Sequence, residues 1–213
     1  MSNFNFVFQI DIISEAIGGV LAGIIIPLLL SAIYWFFSPR LKLRFIENKT
    51  YDEAPIMENN KLTGKIGLYI HLFVYNVHGK MAYNCKAFLI GIEQKIDCKY
   101  KPIEINVPLM LKWANESNNR EYSGVEIPGK YYRRLDLIHG EKGEDKFLFF
   151  IESGPRGLMP QFNNGFPNGI YRIRIHVSAE NAISKTKILI INWNGVFEKE
   201  NIKIKAQKKY LIF

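Results

Sequence analysis

Ala16 to Phe37 reads AIGGVLAGIIIPLLLSAIYWFF, 22 residues without a charge. As a helix it is about 33 Å long, enough to cross the hydrocarbon core of a bilayer. It has no polar face, whereas a helix that packs on a globular core keeps one. A cleaved secretory signal opens with basic residues, has a shorter apolar run and ends in small residues. This run follows Asp11 and Glu15 and ends in Tyr34, Trp35, Phe36 and Phe37. Such rings suit the headgroup layer, and Ser38-Pro39 stops the helix. The expectation is a short tail over residues 1–15, one transmembrane α-helix over 16–37 and a separate domain over 40–213.

Charge is unevenly distributed about this run. Residues 1–39 contain no Lys or Arg, so the rest of the chain carries all 28 basic residues and all but two of the 20 acidic ones. Arg40, Lys42, Arg44 and Lys49 follow the helix at once. By the positive-inside rule that side stays in the cytoplasm. The expected topology is single-pass, with the N-terminus outside and the following domain cytoplasmic. The sequons Asn48-Lys49-Thr50 and Asn115-Glu116-Ser117 argue for the reverse orientation.

Within the run, Gly18 and Ala22, and Gly19 and Gly23, form two small-xxx-small pairs. Small residues four apart let a second helix approach closely, so this face is a candidate for self-association into a homo-oligomer. Pro27 lies just beyond it and removes one helix hydrogen bond, which predicts a kink.

After residue 40 the hydrophobic period switches to two. GIYRIRIHVS (169–178) is the clearest case, with Tyr171, Ile173, Ile175 and Val177 on one face and Arg172, Arg174 and His176 on the other. LKLRF (41–45) alternates likewise. GLYIHLFVYN (67–76) is apolar on both faces, which predicts a central strand covered on both sides. AYNCKAFLIGIEQ (82–94) is its expected partner, across a turn at His78-Gly79 in which Gly79 takes φ > 0. Further short strands are expected in 105–113, 131–138, 146–151, 185–193 and 201–213. The polar stretches 47–65, 114–124 and 152–169 are expected as connections. Eight or nine short strands with polar turns between them predict a mainly β domain, an antiparallel sandwich or barrel.

A resemblance follows from YIHLFVYNVHGKMAYNCKAFLIGIE (69–93). It looks like paired strands of immunoglobulin-like modules in prokaryotic surface proteins, with Val74, Asn76, Gly79, Ala82 and Asn84 in the characteristic places. GIYRIRIHVSAENA (169–182) is similar to a late strand of those modules, which opens Gly-x-Tyr. The resemblance covers about 40 residues and implies an immunoglobulin-like β-sandwich with a binding or structural role and no catalytic residues.

The residues that carry chemistry are sparse. His71, His78, His139 and His176 are scattered and lack metal-ligand spacing. Cys85 and Cys98 lack a CxxC partner, and Cys85 alternates with Tyr83 and Ala87 as a buried apolar residue does. Asp136, between Leu135 and Leu137, is expected on a solvent face. The expectation is no metal, no cofactor and no catalytic site. Arg133, Arg134, Arg172, Arg174 and His176 are the candidate anion or nucleotide contacts, because guanidinium groups grip phosphate through paired hydrogen bonds. Tyr131, Tyr132, Phe162, Phe166 and Tyr171 are the candidate stacking partners. No Lys/Arg run exceeds two residues, so sequence-specific nucleic-acid binding is not expected.

These features together describe a non-enzymatic, membrane-anchored binding module. Its partners are the lipid bilayer, an unidentified protein and, through the arginines, a phosphate-bearing ligand. The alternative is a ligand-gated membrane effector that oligomerises through its helix, a layout similar to the membrane-spanning β-barrel effectors of nucleotide-signalled anti-phage defence. Gly19→Ile with Gly23→Ile is expected to abolish crosslinked oligomers in membranes; unchanged oligomers would remove the helix face as their basis.

Overall fold

The computed structural model describes residues 19, 21–46, 49–58, 61–114, 124–151, 162 and 164–207. The chain divides into two compact units, Met1–Ser38 and Pro39–Phe213.

In the first unit a five-residue π-helical turn, Leu21–Ile25, runs into helix α1, Ile26–Phe37. The widened turn stands just before Pro27, whose missing N–H and ring disturb bonding to the preceding turn. At the other end the Ser38 N–H donates to the Tyr34 carbonyl at 2.8 Å, and its hydroxyl donates to the same oxygen at 2.5 Å. Ser38 is extended, as the residue before a proline must be. Helix α1 has no buried residue. Gly19 and Gly23 have open space where a side chain would stand, and Ala22 is exposed; Gly18 lies outside the described residues. Among the described residues no helix is long and apolar enough to cross a membrane. The transmembrane helix expected over 16–37 is therefore not found among them; residues 16–18 and 20 of that run lie outside.

The second unit is built of antiparallel sheets. The first contains β1 (Leu41–Arg44), β2 (Tyr51–Glu58), β3 (Lys61–Asn76), β8 (Tyr132–Glu141), β9 (Lys146–Phe149) and β10 (Phe166–Pro167). The second contains β4 (Ala82–Ile96), β5 (Lys99–Ile103), β6 (Leu109–Met110), β7 (Val125–Ile127), β11 (Gly169–Ala179), β12 (Ala182–Trp193) and β13 (Ile202–Ala206). The first sheet runs β1-β3-β8-β9-β10, with β2 also on β3; the second runs β13-β12-β11-β4-β5, with β6 and β7 also on β4. Strand β3 is flanked by β8 along one edge and by β1 and β2 in succession along the other.

Alternation produces the core. Tyr171, Ile173, Ile175 and Val177 of β11 are fully buried, and Leu68, Ile70, Leu72 and Val74 of β3 meet them from the other sheet. One end is closed by rings: Phe147 lies 5.4 to 6.1 Å from Phe166, Tyr171, Trp193 and Phe197. Burial pushes the Tyr171 hydroxyl up to about 12, and that hydroxyl donates to the Pro167 carbonyl at 2.7 Å. Phe162, Phe166 and Tyr171 are thus core residues and cannot stack on a ligand; Tyr131 and Tyr132 are exposed.

The sheets are joined along two seams. The segment following β6 bonds β4 through Leu111 N–H to the Ala87 carbonyl, then crosses to β8 through Ala114 N–H to the Arg134 carbonyl. Opposite, Arg40 bridges to Ile183, and the Lys187 ammonium, its pKa lowered by burial, donates to the Leu43 carbonyl at 3.1 Å.

Two expectations are corrected. First, β3 and β4 do not pair: they lie in different sheets, and Val77 to Met81 is an arch between them. Asn76 is the reason. Its side chain is fully buried; Nδ2 donates to the carbonyls of Lys80 (2.6 Å) and Ile127 (3.0 Å), and Oδ1 accepts from His78 N–H. Its backbone meanwhile bonds to Tyr131 and Lys130. Gly79 has no positive φ. The glycine that the arch needs is Gly129, whose Cβ would stand 2.0 Å from the Gly79 oxygen. Second, the polar stretch 47–65 holds β2 and the start of β3, a pair sustained by backbone bonds from Tyr51↔Ile70 to Glu58↔Lys61. The described residues hold thirteen strands rather than eight or nine; the last strand ends at Ala206, and 208–213 lie outside the description.

Asn76→Leu leaves two carbonyls unpaired at the arch. It is expected to cost about 2–4 kcal/mol and to lower the thermal midpoint by roughly 6–12 °C, measured by circular dichroism. A shift within error of wild type would show that the arch does not depend on this side chain.

Candidate functional site

The outer face of the first sheet carries an ionic cluster set into aromatic surroundings. A bulge is its origin. Ile70 pairs with Ile138, but the next residue, His71, pairs with Asp136, so Leu137 has no opposite number. The slip brings Asp136 opposite His71 on the outer face, while Leu137 and Ile138 are both buried. His71 Nδ1 is 2.6 Å from Asp136 Oδ1. Nε2 is 3.3 Å from Asp52 Oδ2, inside ion-pair distance but without hydrogen-bond alignment. Asp52 in turn accepts from Arg134 Nη1 at 2.5 Å.

Position in the chain explains why these four meet. The Thr50 hydroxyl donates to the Ile46 carbonyl at 2.5 Å and accepts from the Ile46 N–H at 3.2 Å, which fixes the turn into β2. His71 N–H donates to the Thr50 carbonyl at 2.8 Å. Asp52, two residues on, is thereby held over His71. The imidazole is buried and Asp136 is nearly so, contrary to the solvent face expected for that aspartate. A buried polar side chain without partners costs free energy, so the carboxylates and guanidinium act first as each other's partners.

Rings flank the cluster on both sides. Tyr132 packs on Phe73 (5.3 Å) and on Tyr75 (5.0 Å), and the Arg44 guanidinium lies 5.0 Å from the Tyr75 centroid. Beyond Asp136, Tyr69, His139 and Phe150 form a second group with centroids 4.1 to 6.2 Å apart. A cleft of about 520 Å³ opens beside the first group, lined by Lys49, Asp52, Phe73, Tyr132, Arg133 and Arg134 among others. Arg133 and Arg134 thus belong to this face.

Arg172, Arg174 and His176 belong to β11 in the second sheet, so the five candidate anion contacts divide between two sheets. Arg172 is bound to Glu93 on β4, and its guanidinium lies 4.2 Å from the Tyr100 centroid. The hydrogen bond from Arg172 holds the Glu93 carboxyl below its ordinary value, against a smaller opposing effect of burial. Arg174 lies across Gly91: a Cβ there would stand 2.6 Å from Arg174 Nε. His176 Nδ1 is 2.9 Å from the Thr186 hydroxyl. Nothing in the sequence singled out Glu93, Tyr100 or Asp52, because their roles come from cross-strand register.

Cys85 is buried, its thiol is pushed up to about 12 mainly by burial, and its sulfur is 3.6 Å from the Ala82 carbonyl. It is not a poised nucleophile. Cys98 is exposed.

The Glu93–Arg172 pair has a defined pH signature. A carboxylate whose folded-state pKa is depressed stabilises above its unfolded value, about 4.3, and that stability is lost as pH falls through the lowered value. Arg172→Met is therefore expected to lower the thermal midpoint at neutral pH, with the difference from wild type shrinking as pH falls to about 2. A pH-independent difference would assign the effect to packing on Tyr100. No family model matches this chain, and no curated protein matches it, so the reading of its two faces stands on geometry and charge.

Proposed function

We propose that this protein is a non-enzymatic, membrane-anchored binding module, with an immunoglobulin-like β domain on the cytoplasmic side that docks a protein partner on the outer face of its first sheet. The observation that carries the docking reading is the exposed Tyr132 beside Arg133 and Arg134 at the cleft, with Tyr131, also exposed, next to it in the chain. Tyrosine and arginine supply much of the binding energy at protein interfaces, since they combine large contact area with directional hydrogen bonds. The buried ionic cluster beneath fixes the backbone that presents them, which limits the entropy lost on binding. The engagement of Asp52 and Asp136 by His71 and Arg134 supports a positioning role for these groups rather than acid–base chemistry.

Support for the anchor comes from the uncharged run 16–37 and from the exposed apolar side chains of its described part. Leu28 and Leu30 are about 60% exposed, as is Tyr34. Such a surface is unstable in water and calls for an apolar cover. The basic outer face of the second sheet favours a second reading, the ligand-gated effector of nucleotide-signalled defence, in which a phosphate-bearing ligand drives helix association through Gly19 and Gly23.

The full chain is expected to stay with the membrane pellet after alkaline carbonate extraction, and Leu28→Lys with Leu30→Lys to release it. A photo-crosslinking residue at Tyr132 is expected to trap a partner that one at Tyr83, on β4, does not; Arg133→Ser is expected to reduce the yield. Carbonate-soluble wild-type protein would refute the anchor, and equal trapping at both positions would refute the docking face.

A further inference from the structure

A second cleft, of about 230 Å³, lies on the outer face of the second sheet. Its floor is Ile170 of β11 and Ile190 and Asn192 of β12; Ile170 and Asn192 are direct cross-strand partners. Lys203 and Lys205 of β13 form one wall, opposite Asn192 and Ile190 in register. Lys95 of β4 and its cross-strand partner Tyr100 of β5 form the other.

Among the described residues none of these three lysines is in an ion pair. The nearest arginine, Arg172, is committed to Glu93 and Tyr100. That pairing neutralises Glu93, leaving three ammonium groups without an ion-pair partner around a floor of two isoleucines and one asparagine. Lysine on an edge strand blunts sheet-to-sheet association, which accounts for Lys203 and Lys205 on β13. It does not account for Lys95, which lies on β4, a strand that runs between β11 and β5 up to Gln94 and pairs at Lys95 with Tyr100 of β5. Nor does it account for an apolar trough between the charges. Three strand steps separate β13 from β4, about 14 Å at the usual spacing. One small anion in the trough does not span both walls.

We propose that this cleft binds a phosphate-bearing small molecule, with phosphoryl oxygens set against Lys203 and Lys205 at one wall and Lys95 at the other, and with a planar or aliphatic body over Ile170 and Ile190. The ammonium groups bind phosphoryl oxygens as point charges; the floor selects organic phosphates over inorganic ions by removing apolar surface from water. A free nucleotide and an inositol phosphate headgroup share this chemistry. The proposal rests on the reading of the β domain as a binding module, and is independent of its docking face on the first sheet.

The test uses the full chain in phosphatidylcholine nanodiscs, titrated calorimetrically with ATP, with inositol 1,4,5-trisphosphate and with inorganic triphosphate. At least one organic probe is expected to bind, and inorganic triphosphate to bind about tenfold more weakly. Lys203→Ala with Lys205→Ala, and separately Lys95→Ala, are each expected to weaken the organic probe about tenfold or more, while Lys61→Ala, an exposed residue of β3 in the first sheet, leaves it unchanged. Binding of ATP alone assigns the cleft to a free nucleotide. Binding of the inositol phosphate alone, with added retention on vesicles containing phosphatidylinositol 4,5-bisphosphate, assigns it to a lipid headgroup. Absence of binding by both organic probes overturns the proposal, as does unchanged binding in the lysine variants or equal binding of inorganic triphosphate. Carbonate extraction of the same variants reports on the anchor alone, so failure of the cleft and failure of the membrane reading are told apart.

Discussion

The buried side chain of Asn76 determines how the β domain is assembled. It stands at the end of β3, the most covered strand of the first sheet, and its amide fixes both the arch to β4 and the end of β7. A hairpin at this point would place β4 beside β3 and leave the second sheet without the strand that joins β11 to β5, β6 and β7. Because Nδ2 donates into the arch and to Ile127 at once, the chain leaves the first sheet here. Gly129 then lets the neighbouring turn approach the arch closely. A buried amide with all its partners satisfied specifies one arrangement, and an apolar residue of similar size would not.

The parts of the fold that were legible in the sequence are those in which burial alternates. Strand β11 shows this: Tyr171, Ile173, Ile175 and Val177 face inward, as their spacing predicts. The near-continuous burial of β3 from Gly67 to Val74 was equally legible. Strand β2 was not, because it is held by backbone bonds to β3 and carries polar residues, among them Asp52 and Glu53, in place of an apolar face. The separation of β3 and β4 into different sheets was not legible, for a related reason. Two alternating runs around a glycine describe an arch as well as a hairpin, and only the long-range partner of Asn76 distinguishes them.

The candidate sites were less legible than the fold. Arg134 and Arg172 were visible as cations, but what each does depends on a residue far along the chain, Asp52 in one case and Glu93 in the other. Asp136 changed from an expected solvent residue to a partner of a buried imidazole through a one-residue slip in register at Leu137. The lysine cleft assembles from β4, β11, β12 and β13, and no local pattern announces it. Its clearest trace in the sequence is the alternation Ile202, Lys203, Ile204, Lys205, which by itself describes any edge strand.

The crossing segment after β6 belongs to both sheets, since Leu111 bonds to β4 and Ala114 to β8. Two sheets that share only a core can in principle loosen separately, each a small cooperative unit. A segment bonded to both removes that freedom on this side, because opening either sheet there breaks bonds that also order the other. The outer face of the first sheet and the lysine cleft then sit on one cooperative body, and a ligand that stabilises either would add to the stability of the whole domain.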